Sequence, residues 1–318
     1  MSFSISAPGK IILAGEHAVV YGKPALVAAI DKRLTVDISK RKDNEIKIFS
    51  NESSGQIKEA IKKFKEMCVT NGDRRLQHRF GLEINVESEI PVKVGMGSSA
   101  AVAVATVGAL LALAKGIKKF TAQDKNLISK IAYEVEKKIH GTPSGVDNTI
   151  AVFGGFLWFK KGKSFKKIKI TDLSKFILIN TGGAKETTGE MVKLVRDKLE
   201  SRRLPGRIWE RFEEIERDTM SLFLGLKRKD ETKIISAING CEIGLERIGV
   251  VGGFAQKIIR EIERRKGAAK ICGAGGVKDR SGVLLCYHQK PEEIFAIAKR
   301  FKLEAFEVLL GEEGVRVE

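Results

Sequence analysis

The chain has 318 residues, 43% of them hydrophobic and only six of them proline, which suits a globular protein with a normal core and room for two domains. Its four cysteines (Cys68, Cys241, Cys272, Cys286) are widely spaced with no C-x-x-C pair, so neither a disulfide framework nor a zinc site is indicated and a reducing compartment fits best. The net charge of +17 raises nucleic acid or anionic lipid as partners. The basic residues, however, recur along Lys32 to Lys42, Lys58 to Lys65, Arg202 to Arg217 and Lys257 to Arg265, often interleaved with glutamates. Solvated helix faces and a general pull on anionic substrates account for them better than a nucleic-acid surface does. Met1 to Ile5 lacks a charged leader with an apolar run behind it, and no run approaches 18 apolar residues, so we expect no export, no membrane span and a cytoplasmic location.

In chain order, residues 3 to 13 alternate and then run apolar around Ala7-Pro8-Gly9-Lys10, which predicts strand, tight turn, strand. Lys10 follows the turn: at a strand edge it is a surface lysine, pointing inward it is a cation. Gly15-Glu16-His17 comes next and means little by itself. Leu34 to Ile38 and Ile46 to Phe49 are strand candidates, and 55 to 69 has one apolar helical face. The strand-like run Leu82 to Glu87 leads into Ile90-Pro91-Val92-Lys93-Val94-Gly95-Met96-Gly97-Ser98-Ser99-Ala100, and a helix that is apolar on all faces follows, ending near Lys115-Gly116. Ser98 or Ser99 can cap that helix, whose free N–H groups and positive dipole end make the glycine turn an anion site; mere packing of a glycine turn is the alternative. Gly95-x-Gly97-x-x-Ala100 also fits the loose dinucleotide fingerprint, yet the region about 20 residues on is basic where that motif wants an acid. No P-loop sequence occurs.

Asp124 to His140 predicts a second helix, with Glu136 beside its apolar stripe as a solvated flank or a ligand. His140-Gly141-Thr142-Pro143-Ser144-Gly145-Val146-Asp147-Asn148 reads as a rigid, non-helical loop carrying an aspartate. Phe159 to Lys167 is a basic patch or a hairpin turn with charged flanks. A strand at Phe176 to Asn180 enters the polar turn Thr181 to Thr188. Helical periodicity dominates 188–228, 230–248 and 252–266. The tail adds strands near Ala269 to Cys272, Gly282 to Tyr287 and Ala305 to Leu310, with a helix from Pro291 to Phe301. We place a domain boundary at 172/173.

Ala7-Pro8-Gly9-Lys10, Pro91 to Ala101 and Lys270-Ile271-Cys272-Gly273-Ala274-Gly275-Gly276 together resemble the GHMP small-molecule kinase superfamily across essentially the whole chain. Within it, Ser6 to Gly22 and His140 to Asn148 look like the mevalonate kinases. The resemblance implies an α+β fold of two domains, an N-terminal one like ribosomal protein S5 domain 2 (1–172, ATP-binding) and a ferredoxin-like C-terminal one (173–318). It implies transfer of the ATP γ-phosphate to the C5 hydroxyl of (R)-mevalonate, with ATP and Mg²⁺ required. By the same resemblance, Lys93, Val94, Gly95, Met96, Gly97, Ser98 and Ser99 cradle the phosphates, Ser99 and Glu136 hold Mg²⁺, Asp147 is the catalytic base, and Lys10 stabilises developing charge beside it. Glu16, His17 and Thr187 match substrate positions, and Ser88 falls where relatives contact nucleotide. Phosphomevalonate kinase is the nearest alternative; a non-enzymatic RNA-binding protein has no need for Lys10, Glu136 and Asp147 together. Dimerisation is common among such relatives, though no patch in the sequence demands it. The third motif departs from the family's by continuing as Val277-Lys278-Asp279-Arg280-Ser281-Gly282, a longer and more charged turn.

Overall fold

A computed structural model describes residues 2–52, 54–70, 81–92, 94–140, 143–170, 176–201 and 205–318, with backbone alone described at 68–70, 140 and 205–206. The expected domain boundary at 172/173 and the phosphate-loop residue Lys93 lie outside the described residues.

The first sheet contains β1 (Ser2–Ala14), β2 (Pro24–Arg41), β3 (Ile46–Ser50), β4 (Gly81–Ser88), β5 (Phe156–Lys160) and β6 (Lys166–Ile168). β1 and β2 run antiparallel over nearly their whole length, and the other edge of β2 pairs with β5 along its first part and with β4 along its second. β3 lies parallel to β4, joined through α1 (Ser54–Thr70). β5 and β6 form the basic hairpin anticipated from Phe159 to Lys167.

β1 is one strand where two were expected. The Pro8-Gly9 dipeptide is absorbed as a register slip between Pro8 and Lys10, and the Lys10 N–H turns to Met96 O at 2.8 Å. A bulge suffices because proline needs no ladder donor and the extra residue only re-aims its neighbours. Beyond it the strand is buried on both faces. Ile11 and Leu13 enter the main core under α2 (Ser98–Lys115), while Ile12 packs with Val146 and Ile150 of α4 (Val146–Phe153). With a side-chain period of two, Lys10 shares the Ile12 face and so points toward α4.

α2 is the buried rod that its apolar circumference predicts. It is long and apolar enough to cross a membrane by composition, with a mean hydropathy of 1.7, but 83% of it is buried inside the fold. Each fully buried valine or leucine along it contributes roughly 1.5–3 kcal/mol. Left-handed glycines bound it, Gly97 at φ 80° and Gly116 at φ 67°. α3 (Ala122–His140) packs on α1 and α2.

The second sheet has the antiparallel order β10-β7-β9-β8, from β7 (Phe176–Asn180), β8 (Ala268–Ile271), β9 (Val283–Tyr287) and β10 (Glu304–Glu307). Between β7 and β8 run α5 (Thr188–Glu200), α6 (Pro205–Arg228), α7 (Glu231–Ile248) and α8 (Gly253–Arg264), and α9 (Pro291–Arg300) joins β9 to β10. Strand, helices, strand, strand, helix, strand in this order is the ferredoxin-like arrangement. β11 (Arg316–Val317) was not expected: it returns to pair with β1, and Val315 is buried against the first core. The tail thus closes the edge of the first sheet, and a two-residue strand carries too little pattern to be read in advance.

Candidate active site

Three glycine-containing segments meet at the N-terminal tip of α2. A Cβ on Gly97 would lie 2.7 Å from Lys10 Cγ, and one on Gly95 (φ 89°) would lie 2.7 Å from Cys272 O. Both positions therefore need glycine for backbone conformation and for space. Val283 donates its N–H to Val94 O at 2.9 Å, so the loop is wedged between β1 and the turn after β8. The helix cap differs from expectation. Neither serine caps α2; Gly97 is the N-cap, Ser98 Oγ donates to Glu52 Oε1 at 2.8 Å, and Ser99 Oγ donates to Glu136 Oε1 at 2.9 Å. With the serines inside the first turn, their hydroxyls face across to α3 and to the segment before α1. The dipole and the leading N–H groups of α2 still favour negative charge at its tip.

Lys10 lies over Gly97 with its side chain 5% exposed, and its Nζ stands 3.3 Å from Asp147 Oδ1. Asp147 is 37% exposed and occupies the first turn of α4, so this stretch is helical where a rigid loop was expected. Gly145 takes φ 85° and starts the helix one residue later, after which nothing in Val146-Asp147-Asn148-Thr149 opposes a turn. Two bonds at 3.2 Å from Asn148 Nδ2 to Ser129 (O and Oγ) pin α4 to α3, and Thr149 Oγ1 donates to Gly145 O at 2.6 Å. The aspartate is thus aimed by a helix held from beneath.

Glu136, on α3, is buried, and its carboxyl is pushed up to about 7 by burial and by the neighbouring charge of Asp147, against the opposing pull of the Ser99 hydroxyl and Lys10. The Gln56 amide donates to Ser99 Oγ, completing a chain from α1 through α2 to α3. Lys10, Asp147, Ser99, Glu136 and the glycine loop at Val94, Gly95, Met96, Gly97 and Ser98 are therefore gathered in one place. The oxygen pair Ser99–Glu136 suits Mg²⁺, which takes hard oxygen donors and keeps several waters; a carboxyl otherwise inclined to hold its proton would gain a cation to ionise against.

The other candidates have different surroundings. Glu16 is 1% exposed and its Oε1 binds Lys270 Nζ, which is fully buried on β8. His17 takes the uncommon φ 55° for a non-glycine residue and its Nε2 donates to Ala274 O at 3.0 Å; burial lowers it to about 4, so the ring is neutral. Both side chains are turned onto the third glycine motif, which explains why this polar pair sits in an apolar stretch. Thr187 is the exposed N-cap of α5, its hydroxyl taken up in a capping box with Glu190 at 2.9 and 3.2 Å. Ser88 ends β4, accepting from Ile90 N at 3.2 Å in a local turn. The charged extension after Gly276 is held down: Glu186 Oε1 accepts from Lys278 N at 3.0 Å and Ser281 Oγ donates to Gly276 O at 2.9 Å.

Glu52 and Gln56 were not singled out in advance, and Asn148 and Lys270 stood inside motifs with no role of their own. Their periodicity is that of ordinary surface or strand positions, and only contacts across elements distinguish them. Glu242 of α7 is likewise buried, its Oε2 accepting from Ile271 N at 3.0 Å and its carboxyl pushed up to about 8, by burial above all. The fold therefore favours its protonated form, and stability is lost as pH rises from 4.5 through about 8. Glu242→Gln should stabilise the fold above pH 8 by on the order of a few kcal/mol relative to wild type, seen as a higher melting temperature, with little change near pH 4.5. Thermal melts of both proteins across that range check this, and equal slopes contradict it.

The sequence family of GHMP kinase N-terminal domains matches residues 56–155. A mevalonate kinase of Archaeoglobus fulgidus is 38% identical over 278 residues, covering 85% of this chain and 88% of the relative. One of Thermococcus sibiricus is 31% identical with 98% and 97% covered. A crystal structure of a mevalonate kinase superposes with a TM-score of 0.75 at 26% identity, over 98% of this chain and 99% of that one.

Proposed function

The chain belongs to the mevalonate kinase family of the GHMP kinases, and we propose that it transfers the ATP γ-phosphate to the C5 hydroxyl of (R)-mevalonate, giving 5-phosphomevalonate and ADP. The observation that carries the reading is the Lys10–Asp147 pair standing over Gly97 at the tip of α2. Phosphoryl transfer asks for little covalent work from the protein and much positioning and charge stabilisation. The triphosphate lies on the glycine loop, where the α2 dipole and backbone N–H groups meet it. Asp147 accepts the C5 hydroxyl proton as that oxygen bonds the γ-phosphorus and the bond to the β–γ bridging oxygen breaks. The Lys10 ammonium lies between carboxylate and phosphate and stabilises the charge spreading over the transferring group. Ser99 and Glu136 would hold Mg²⁺, which neutralises phosphate charge when bound.

Glu16 and His17 contribute in this account by shaping the substrate end through their hold on the third motif, and Thr187 and Ser88 border the substrate and nucleotide ends. We place residues 1–172 as the nucleotide-binding unit and 173–318 as the second, with the tail returning to the first sheet, and we place the protein in the cytoplasm, where its buried free thiols at Cys241, Cys272 and Cys286 suit a reducing environment.

Phosphorus NMR of a reaction with ATP and mevalonate tests the proposal: a new monoester signal split into a triplet by two C5 protons supports it, and no mevalonate-dependent signal contradicts it. Glu136→Gln should raise the Mg²⁺ concentration for half-maximal rate by about tenfold or more, and titration of Mg²⁺ against the ADP-bound protein by calorimetry should show the same weakening. An unchanged metal dependence in both would remove Glu136 as a ligand.

A further inference from the structure

We infer that Lys270 is a positioning residue that sets the two halves of the active site against each other. Its ammonium is fully buried and has three donors; these go to Glu16 Oε1, to Ile12 O at 3.2 Å and to Ile271 O at 2.8 Å. The acceptors come from separate places. Ile12 lies on β1 two residues after Lys10, Glu16 sits in the turn that follows β1, and Ile271 is on β8 itself. Two residues beyond Lys270, Cys272 O and Gly273 abut Gly95 of the phosphate loop, and His17 closes the same contact by bonding Ala274 O. One ammonium group thereby fixes the strand carrying the Lys10 cation relative to the turn that backs the phosphate loop.

A buried ion pair replaced as a whole by neutral groups is often neutral for stability, whereas one broken on a single side leaves an uncompensated charge. That asymmetry separates a positioning role from a merely structural one. The turnover readout rests on the kinase reading; nucleotide affinity does not depend on mevalonate being the substrate.

The test compares Lys270→Met with the double variant Glu16→Gln/Lys270→Met, at a temperature where circular dichroism shows each folded. Melting temperature, kcat, KM for mevalonate and affinity for the non-hydrolysable analogue AMP-PNP are measured. Lys270→Met should lose stability, the double variant should regain most of it, and both should keep kcat down about tenfold or more, with AMP-PNP bound several-fold more weakly, because small misplacements of reacting groups cost large factors in rate. If Lys270→Met does not fold, the double variant alone decides. Recovery of kcat and AMP-PNP affinity to within about twofold of wild type alongside stability would overturn the inference, as would a rise in KM alone, which would assign Glu16 to direct substrate contact. A wild-type protein without mevalonate-dependent turnover would count against the kinase reading, and AMP-PNP affinity would then decide the role of Lys270.

Discussion

Asp147→Asn lowers kcat by about 10²- to 10⁴-fold while leaving AMP-PNP affinity nearly unchanged. The substitution keeps shape and one accepting oxygen, and α4 stays anchored by Asn148 on Ser129 and Thr149 on Gly145, so the side chain remains where it was. What is lost is the capacity to take the hydroxyl proton. Stability should fall as well, because Lys10 is only 5% exposed and loses its compensating charge, although the 37% exposure of Asp147 limits the loss. The measurement is steady-state turnover with a thermal melt and analogue titration on the same preparation. A kcat within about threefold of wild type would remove Asp147 from the role of base.

Lys10→Met is expected to cost about 10²- to 10³-fold in kcat and to weaken ATP as well. Methionine keeps an unbranched stem over Gly97, where a Cβ would already come within 2.7 Å of Lys10 Cγ, so the packing at the glycine survives and chiefly the charge is removed. The lost cation is only 5% exposed, at a site from which water is largely excluded, and there a charge acts on its neighbours with less screening than at the surface. The backbone bond from Lys10 N to Met96 O is untouched by the substitution. Turnover and the KM for ATP, with a melt to confirm the fold, decide the matter. Equal kcat would mean that the ammonium serves only to pair with Asp147.

The elements were legible where a pattern was long. The all-apolar circumference of α2 and the stripes of α1 and α3 follow from period alone, the β5–β6 hairpin was one of two readings of a basic stretch, and the three glycine motifs carried the family resemblance. Short-range signals misled where a few residues had to decide. Pro8-Gly9 reads as a turn but is a bulge in one long strand, because β2 runs past it and supplies partners on both sides. Gly145 reads as a loop residue but starts a helix. Ser98 and Ser99 read as caps, yet the left-handed Gly97 takes the N-cap position and leaves both serines inside the first turn, where their hydroxyls donate to Glu52 and Glu136. Gln56 was silent, and Lys270 was quoted in the third motif without a role, because their contacts join residues far apart in the chain, which periodicity does not encode. The net charge of +17 raised nucleic acid as a partner but was better accounted for by solvated helix faces, and Lys10 and Lys270 are buried and paired, which no RNA-binding surface requires.

Release of ADP by the purified protein, followed against mevalonate, 5-phosphomevalonate, homoserine and galactose in parallel, tests the central claim most directly. The account predicts rapid release with mevalonate and background release with the other three. Equal rates with and without mevalonate, or preference for 5-phosphomevalonate, would contradict it.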